Sequence, residues 1–232
     1  MTIFNAEEFF TFLVSFLLVE SFCSALEDGT MRSYLYLLGA IAFDEPSPRR
    51  FEAARSLIIA LRETPLSPAC RAAVDGLEQQ LHMAPALACE HTRLFVLGNP
   101  TVVAHPYAAY WLEGRLLGDV TIEVGRRMQA FGFSVTPDSG LLPDHIVSEL
   151  EFLALLAEQD TSESREAAQS FITRHMRHWV PEFVDALRQA DPSLHPFYSA
   201  SVDLLDALMA CGVENRIPAR AIQRPYHETV LN

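Results

Sequence analysis

Apolar residues recur every three to four positions along most of the chain, the spacing of α-helices that bury one face. In the first such run Phe9, Leu13 and Phe16 share one side. The whole pattern predicts helices at residues 6–26, 31–43, 49–63, 67–82, 85–97, 107–117, 119–131, 144–159, 162–189 and 196–211. Pro181 lies inside one of them and predicts a bend there.

Segments rich in Pro, Gly and Asp interrupt this pattern and predict loops. They are residues 44–48, 98–106 and 132–143, and the last is long enough to form a hinge or a binding edge. We therefore predict an all-α fold, a single helical bundle of about ten helices. It occupies residues 1–212 and is followed by a loosely held tail at 213–232.

The composition predicts a packed, acidic globule. Of 232 residues 50% are hydrophobic, and 17 Lys and Arg stand against 30 Asp and Glu, a net charge of −13. This sign opposes phosphate backbones and anionic lipid surfaces, so nucleic acid is not an expected partner. The charge suits a cationic ligand, although acidic surfaces often serve solubility alone.

Neither an export signal nor a membrane span is predicted. The N-terminus is acidic where a signal peptide is basic, and the apolar stretch at 9–19 is too short to cross a bilayer. We expect a cytoplasmic protein without membrane insertion. The cysteines Cys23, Cys70, Cys89 and Cys211 form no metal-type spacing, so we expect four reduced thiols in the core.

The start of the helix at 144–159 is one candidate site. Asp144 can cap this helix, and His145 and Glu149 lie four residues apart on one face. A capped helix with a local ion pair and a functional acid–imidazole cluster explain this spacing equally well.

A second candidate is the segment at 90–95. Glu90 and Arg93 are three residues apart and can pair, while Leu94 and Phe95 face the core or a groove. A structural ion pair on the helix surface is the simpler interpretation.

Catalytic motifs are missing from the sequence. It has no nucleophile elbow, no phosphate-binding glycine loop and no Glu-x-x-His pair, so neither an enzyme nor a bound cofactor or metal is predicted. One enzymatic alternative is a helical metal-dependent hydrolase that uses His145, Glu149, His175 and His178. We favour packing as the role of the two later histidines.

Five segments in order carry a resemblance to a known family: EHTRLF at 90–95, PYAAY at 106–110, PDHIVSELEFL at 143–153, HMRHWVPEF at 175–183 and PFY at 196–198. Together they resemble the TorD/DmsD family of redox-enzyme maturation chaperones. The resemblance covers about residues 5–211. It implies a TorD-like all-α bundle that binds the twin-arginine signal peptide of a molybdopterin-dependent oxidoreductase. Such a chaperone holds the apo form of the catalytic subunit until its cofactor is inserted, before export.

The resemblance also implies site residues. The implied signal-peptide-binding residues are Leu94, Phe95, Pro106, Tyr107, Tyr110, Asp144 and His145. Glu90, Arg93 and Glu149 are implied to support them. The sequence departs from the family at Ala108 and Ala109, where relatives often carry Glu and Ser.

Two questions stay open at this stage. A related chaperone for a non-exported, nitrate-reductase-like client is an alternative to the signal-peptide chaperone. Family members exist as monomers or helix-swapped dimers, and a loop such as 133–143 could allow the exchange.

Overall fold

A computed structural model describes residues 4–5, 28–81, 84–98, 101–136, 139–190 and 194–214. The helix predicted at 6–26 lies outside the described residues, and so does the predicted tail beyond Glu214. The predicted all-α fold is confirmed, because the described residues form ten α-helices and only a two-stranded sheet.

The α-helices differ in length from six to nineteen residues. They are α1 (Asp28–Phe43), α2 (Pro48–Leu61), α3 (Pro68–Gln80), α4 (Ala84–His91), α5 (Ala108–Glu113), α6 (Asp119–Ala130), α7 (Ile146–Gln159), α8 (Ser162–Arg174), α9 (Val180–Gln189) and α10 (Pro196–Glu214). A π-helical turn at Thr92–Val96 continues α4, and a 3₁₀ turn at Met176–His178 precedes α9.

Two helices, α1 and α7, form the centre of the bundle. Every residue from Ile146 to Ala157 of α7 is buried, including the polar residues Ser148, Glu149 and Glu151. Gly39 of α1 lets the helices approach closely, because a Cβ there would lie 3.0 Å from Leu208 and 3.4 Å from Leu150. The core therefore surrounds the helix whose first residues were predicted as a candidate site.

The helix predicted at 107–117 is shorter than expected. It ends at Glu113, since Gly114 adopts the left-handed conformation (φ 70°). The Glu113 carboxylate then accepts hydrogen bonds from the backbone N–H groups of Asp119 and Val120, at 3.1 and 2.7 Å. The Glu113 side chain thus caps the start of α6 and links it to the end of α5.

The helix predicted at 162–189 is two helices. The break lies at His175, before Pro181, and Pro181 stands in the first turn of α9, where its missing N–H costs nothing. The predicted bend at Pro181 is therefore wrong.

The loop predicted at 132–143 contains a short strand. Strand β1 (Phe4–Asn5) pairs in parallel with β2 (Phe133–Ser134). Phe133 is fully buried, so this extended segment anchors itself in the core.

The cysteine prediction is only partly right. Cys70 is buried, Cys211 is half-buried and Cys89 is exposed, while Cys23 lies outside the described residues. In the described part of the chain, no helix has the length and apolar character needed to cross a membrane.

Candidate functional site

Two of the predicted segments lie side by side ahead of α5 and α7. The N–H of Ile146 donates to the carbonyl of Pro106 at 2.8 Å, and the N–H of Ala108 donates to the carbonyl of Asp144 at 2.9 Å. Tyr107 and His145 are the paired residues of this antiparallel bridge. The structure therefore brings together two motifs that are far apart in sequence.

Asp144 is a fully buried carboxylate at this junction. Its Oδ2 accepts a hydrogen bond from the N–H of Ala109 at 3.0 Å, while its Oδ1 has no hydrogen-bond partner. The Asp144 carbonyl and carboxylate together satisfy two N–H groups at the start of α5. Its side chain therefore caps α5, and the predicted cap on its own helix is wrong.

His145 takes that role instead. Its Nδ1 accepts a hydrogen bond from the N–H of Val147 at 3.2 Å, so the ring proton is assigned to Nε2. Burial, reinforced by the nearby His91, lowers the pKa of His145 to about 3. The imidazole is therefore neutral at physiological pH, and the edge of Tyr107 packs against it with ring centroids 4.8 Å apart.

Glu149 forms a buried polar cluster with residues of the α8–α9 connection. Its carboxylate accepts from Trp179 Nε1 at 3.2 Å and lies 2.6 Å from Nε2 of His175. Burial raises the pKa of Glu149. Burial also opposes charge on His175, but the attraction and hydrogen bond of Glu149 outweigh it and raise the pKa of His175. The predicted local pairing of Glu149 with His145 is therefore wrong.

The segment at 90–95 contains the predicted ion pair. Arg93 donates two hydrogen bonds of 2.8 Å to the Glu90 carboxylate, and these bonds lower the pKa of Glu90. Leu94 is fully buried and Phe95 nearly so, with the Phe95 ring packed on Phe43 and other core rings. Both residues, implied to bind the signal peptide, are therefore part of the core.

The remaining predicted residues differ in their exposure. Pro106 is buried, Tyr107 is half-buried, and Tyr110 is 37% exposed with its ring against His105. Several large apolar side chains between residues 96 and 122 are exposed, and they are here called the apolar surface: Val96, Leu97, Tyr110, Leu112, Leu116, Leu117 and Ile122. Sequence reasoning missed most of them because their positions fit the buried face of a continuous helix.

A second group of buried charges was also missed. Glu151 is 6% exposed, and burial together with the nearby Asp44 raises its pKa to about 8. Arg50 lies 2.5 Å from the Asp44 carboxylate. The sequence signal for this group is an acidic residue among the apolar residues of α7.

Comparison with known proteins identifies the family of the chain. The model of the family described as nitrate reductase delta subunit matches residues 63–185, more than half of the chain. The chain belongs to this TorD-like family. Every predicted site residue, from Glu90 to Glu149, lies within the matched range.

Relatives of this family member carry assembly or chaperone names. A selenate reductase assembly chaperone protein of Thauera selenatis is 34% identical over 37% of this chain and 49% of its own length. A chlorate reductase assembly chaperone protein of Ideonella dechloratans is 29% identical over 50% of this chain and 65% of its own. The chaperone protein TorD of Actinobacillus succinogenes is 30% identical over 55% of this chain and 64% of its own.

The matches therefore span about half to two thirds of these relatives. A solved structure extends the likeness: a putative redox enzyme maturation protein from Archaeoglobus fulgidus aligns with a TM-score of 0.56 and 25% identity. The alignment covers 81% of this chain and 99% of that one.

The histidines of the hydrolase alternative do not form a metal centre within the described residues, where no three His, Cys, Asp or Glu side chains converge. His178 is exposed, while His175 is buried against Glu149. The packing role favoured for both histidines therefore holds for His175 and not for His178.

Proposed function

We propose that this chain is an assembly chaperone that binds the twin-arginine signal peptide of a molybdopterin-dependent oxidoreductase. It holds the apo catalytic subunit in the cytoplasm until the cofactor is inserted. Membership of the TorD-like family and the assembly-chaperone names of several relatives support this function.

The observation that carries the proposal is the convergence of two motifs at the start of α5, a helix with exposed apolar side chains. The bridge between Tyr107 and His145 holds the buried Asp144 carboxylate at the start of α5, and Tyr110 and Leu112 of the same helix are exposed. A carboxylate with a free acceptor oxygen thus lies against the start of the short helix that exposes Tyr110 and Leu112.

This arrangement suits the chemistry of a twin-arginine signal. Such a peptide carries adjacent guanidinium groups followed by an apolar stretch, so its receptor needs carboxylates beside an apolar groove. Because Asp144 is fully buried, a guanidinium reaches its free oxygen only when neighbouring side chains move. Tyr107 is half-buried and close enough to Asp144 to interact electrostatically, so it is the side chain we expect to move.

Calorimetry with synthetic twin-arginine peptides tests the proposal. The peptides come from molybdoenzymes encoded near this gene, and each is paired with a version in which both arginines are replaced by glutamine. We expect saturable binding of the arginine peptide and much weaker binding of its partner. Absence of binding to every arginine peptide, together with unchanged cofactor loading of the client in a deletion strain, contradicts the proposal.

The role of the apolar surface is tested separately. Leu117→Ser and Ile122→Ser change residues that are 67% and 53% exposed, so we expect little loss of stability. Each should weaken peptide binding about tenfold or more, because burial of one such side chain contributes roughly 1.5–3 kcal/mol. Ile59→Ser is the matched control, since Ile59 is 60% exposed on α2. An equal effect of the control variant contradicts a role for this surface.

A second candidate function is chaperoning of a non-exported, nitrate-reductase-like client. The description of the matched family as nitrate reductase delta subunit favours it. In that case the client's N-terminal segment binds without twin arginines, so the glutamine peptides or the whole apo subunit bind as well as the arginine peptides do. Co-purification with each client encoded nearby distinguishes the two functions.

The oligomeric state is a further part of the proposal. Either a monomer or a helix-swapped dimer is compatible with a hinge at residues 133–143. Light scattering of the purified chain, alone and with peptide, determines which form binds.

A further inference from the structure

Two cysteine side chains from distant parts of the sequence lie in contact. The Sγ atoms of Cys70 and Cys211 are 3.3 Å apart, although the residues are separated by 141 positions. Cys70 lies in the first turn of α3 and Cys211 near the end of α10. These helices pack together along their length, so the pair is held in place by the fold.

We propose that Cys70 and Cys211 form a reversible intramolecular disulfide when the protein meets an oxidant. The thiols are free in the reduced chain. A disulfide bond needs the sulfur atoms about 2.05 Å apart, so closing the contact requires a shift of little more than 1 Å. Rotation of the two side chains supplies a shift of this size without separating the helices.

The surroundings give the two thiols different roles. Cys211 is half-buried, and it lines a cavity of about 240 Å³ that Cys70, Ser67 and Arg32 also line. Ser67 Oγ lies 3.5 Å from its sulfur. Cys70 is 2% exposed, and burial raises the pKa of its thiol to about 11. Cys211 is therefore the sulfur that an oxidant reaches first, and Cys70 is the thiol that resolves the product.

With hydrogen peroxide the reaction balances in two steps. The Cys211 thiol attacks one peroxide oxygen, the O–O bond breaks, and a sulfenic acid and one water are formed. The Cys70 sulfur then attacks the Cys211 sulfur, the S–O bond breaks, and a second water leaves. Two thiols are oxidised, one peroxide is reduced, and the product covalently joins α3 to α10.

Peptide mapping of the oxidised wild-type chain tests the proposal. The reduced full-length protein is treated with about one equivalent of hydrogen peroxide, alkylated and digested. We expect a linked peptide that contains Cys70 and Cys211, lost on treatment with dithiothreitol. The oxidised chain should also unfold at a higher temperature than the reduced chain, because the crosslink restricts the unfolded state.

Serine variants identify the partners. Cys70→Ser and Cys211→Ser should each abolish the linked peptide and the shift in unfolding temperature, whereas Cys89→Ser and Cys23→Ser should preserve both. Alkylation of both Cys70 and Cys211 after oxidation overturns the proposal. So does a link from either residue to Cys23 or Cys89, or irreversible oxidation of Cys211 without a link. The wild-type mapping decides the question even if a variant at the buried Cys70 fails to fold.

Discussion

At the scale of single residues, three buried acidic groups near the start of α7 differ mainly in what surrounds them. Asp144 accepts one backbone hydrogen bond, Glu149 is held by His175 and Trp179, and Glu151 lies beside the Asp44–Arg50 pair. Only Asp144 has an oxygen that is fully buried without a partner among these three. Asp144 is therefore suited to binding. Glu149 is suited to stabilising the connection between α8 and α9.

Asp144 is predicted to contribute to binding through its charge and to stability through its acceptor oxygen. Asp144→Asn keeps an oxygen for the Ala109 N–H but removes the charge, so peptide affinity should fall by about tenfold or more at little cost in stability. Asp144→Ala should lose affinity equally and about 1 kcal/mol of stability as well. Calorimetry and urea unfolding measure the two effects.

The control for the Asp144 variants is Asp203→Asn, which removes one charge from the exposed face of α10. It should leave affinity within twofold of the wild type, by analogy with other exposed charges. If the Asp144→Asn variant binds the peptide as tightly as the wild type does, this carboxylate is not part of the binding site.

Glu151 is predicted to make stability depend on pH. Its pKa is raised from 4.5 to about 8 in the folded chain. Between these values the unfolded chain loses the proton while the folded chain keeps it, so this contribution to stability is full below pH 4.5 and falls as pH rises to about 8. Glu151→Gln mimics the protonated form and should remove this loss, which amounts to at most about 5 kcal/mol.

Urea unfolding between pH 5 and pH 9 measures the effect of Glu151→Gln. The variant should gain stability over the wild type as pH rises. Glu163→Gln, at an exposed position on α8, is the control and should follow the wild-type curve. Parallel curves for the wild type and Glu151→Gln contradict the assignment.

At the scale of helices, the contact between α1 and the end of α7 depends on a glycine. A Cβ on Gly29 would lie 2.7 Å from the backbone oxygen of Ala157 and 2.9 Å from Cγ of Asp160. Gly29→Ala should therefore force the helices apart and cost roughly 1–3 kcal/mol. Gly76→Ala is the matched comparison, since its Cβ would lie 3.7 Å from Ala200, an ordinary contact. It should stabilise the chain by about 0.5–1 kcal/mol. Relative to the wild type, the urea midpoint should fall for Gly29→Ala and rise for Gly76→Ala.

Helices were predicted well where the apolar spacing is uninterrupted, as in α7. They were predicted less well where a tertiary contact determines the end of a helix. The break at His175 is an example, because the side chains of His175 and Trp179 both reach Glu149, 26 and 30 residues earlier. Local periodicity contains no information on that cluster. The short α5 is similar: Gly114 was visible in the sequence, but the capping role of Glu113 was not.

The candidate site was likewise predicted only in part. The motifs at 106–110 and 144–145 were expected to act together, and they form one bridge. Their hydrogen bonds could not be predicted, because Asp144 caps a helix 35 residues away from it in sequence. The contact between Cys70 and Cys211 likewise requires knowledge of how α3 packs on α10.

At the scale of the whole molecule, the charge of −13 acts on any cationic ligand before contact is made. Salt screens this attraction. Binding to the apolar surface depends less on salt, because hydrophobic burial is little affected by moderate salt. The two parts of a twin-arginine peptide should therefore respond differently to ionic strength. Stopped-flow measurements of association and dissociation rates separate them.

We predict that the association rate of an arginine peptide falls roughly tenfold between about 50 mM and 500 mM NaCl, since salt screens charges beyond a few ångströms. Its dissociation rate should change much less, because short-range contacts determine how long the complex lasts. The glutamine version of the peptide should associate slowly at both concentrations. If both peptides show the same salt dependence, the acidic surface serves solubility, and the arginines are recognised through close contacts or not at all.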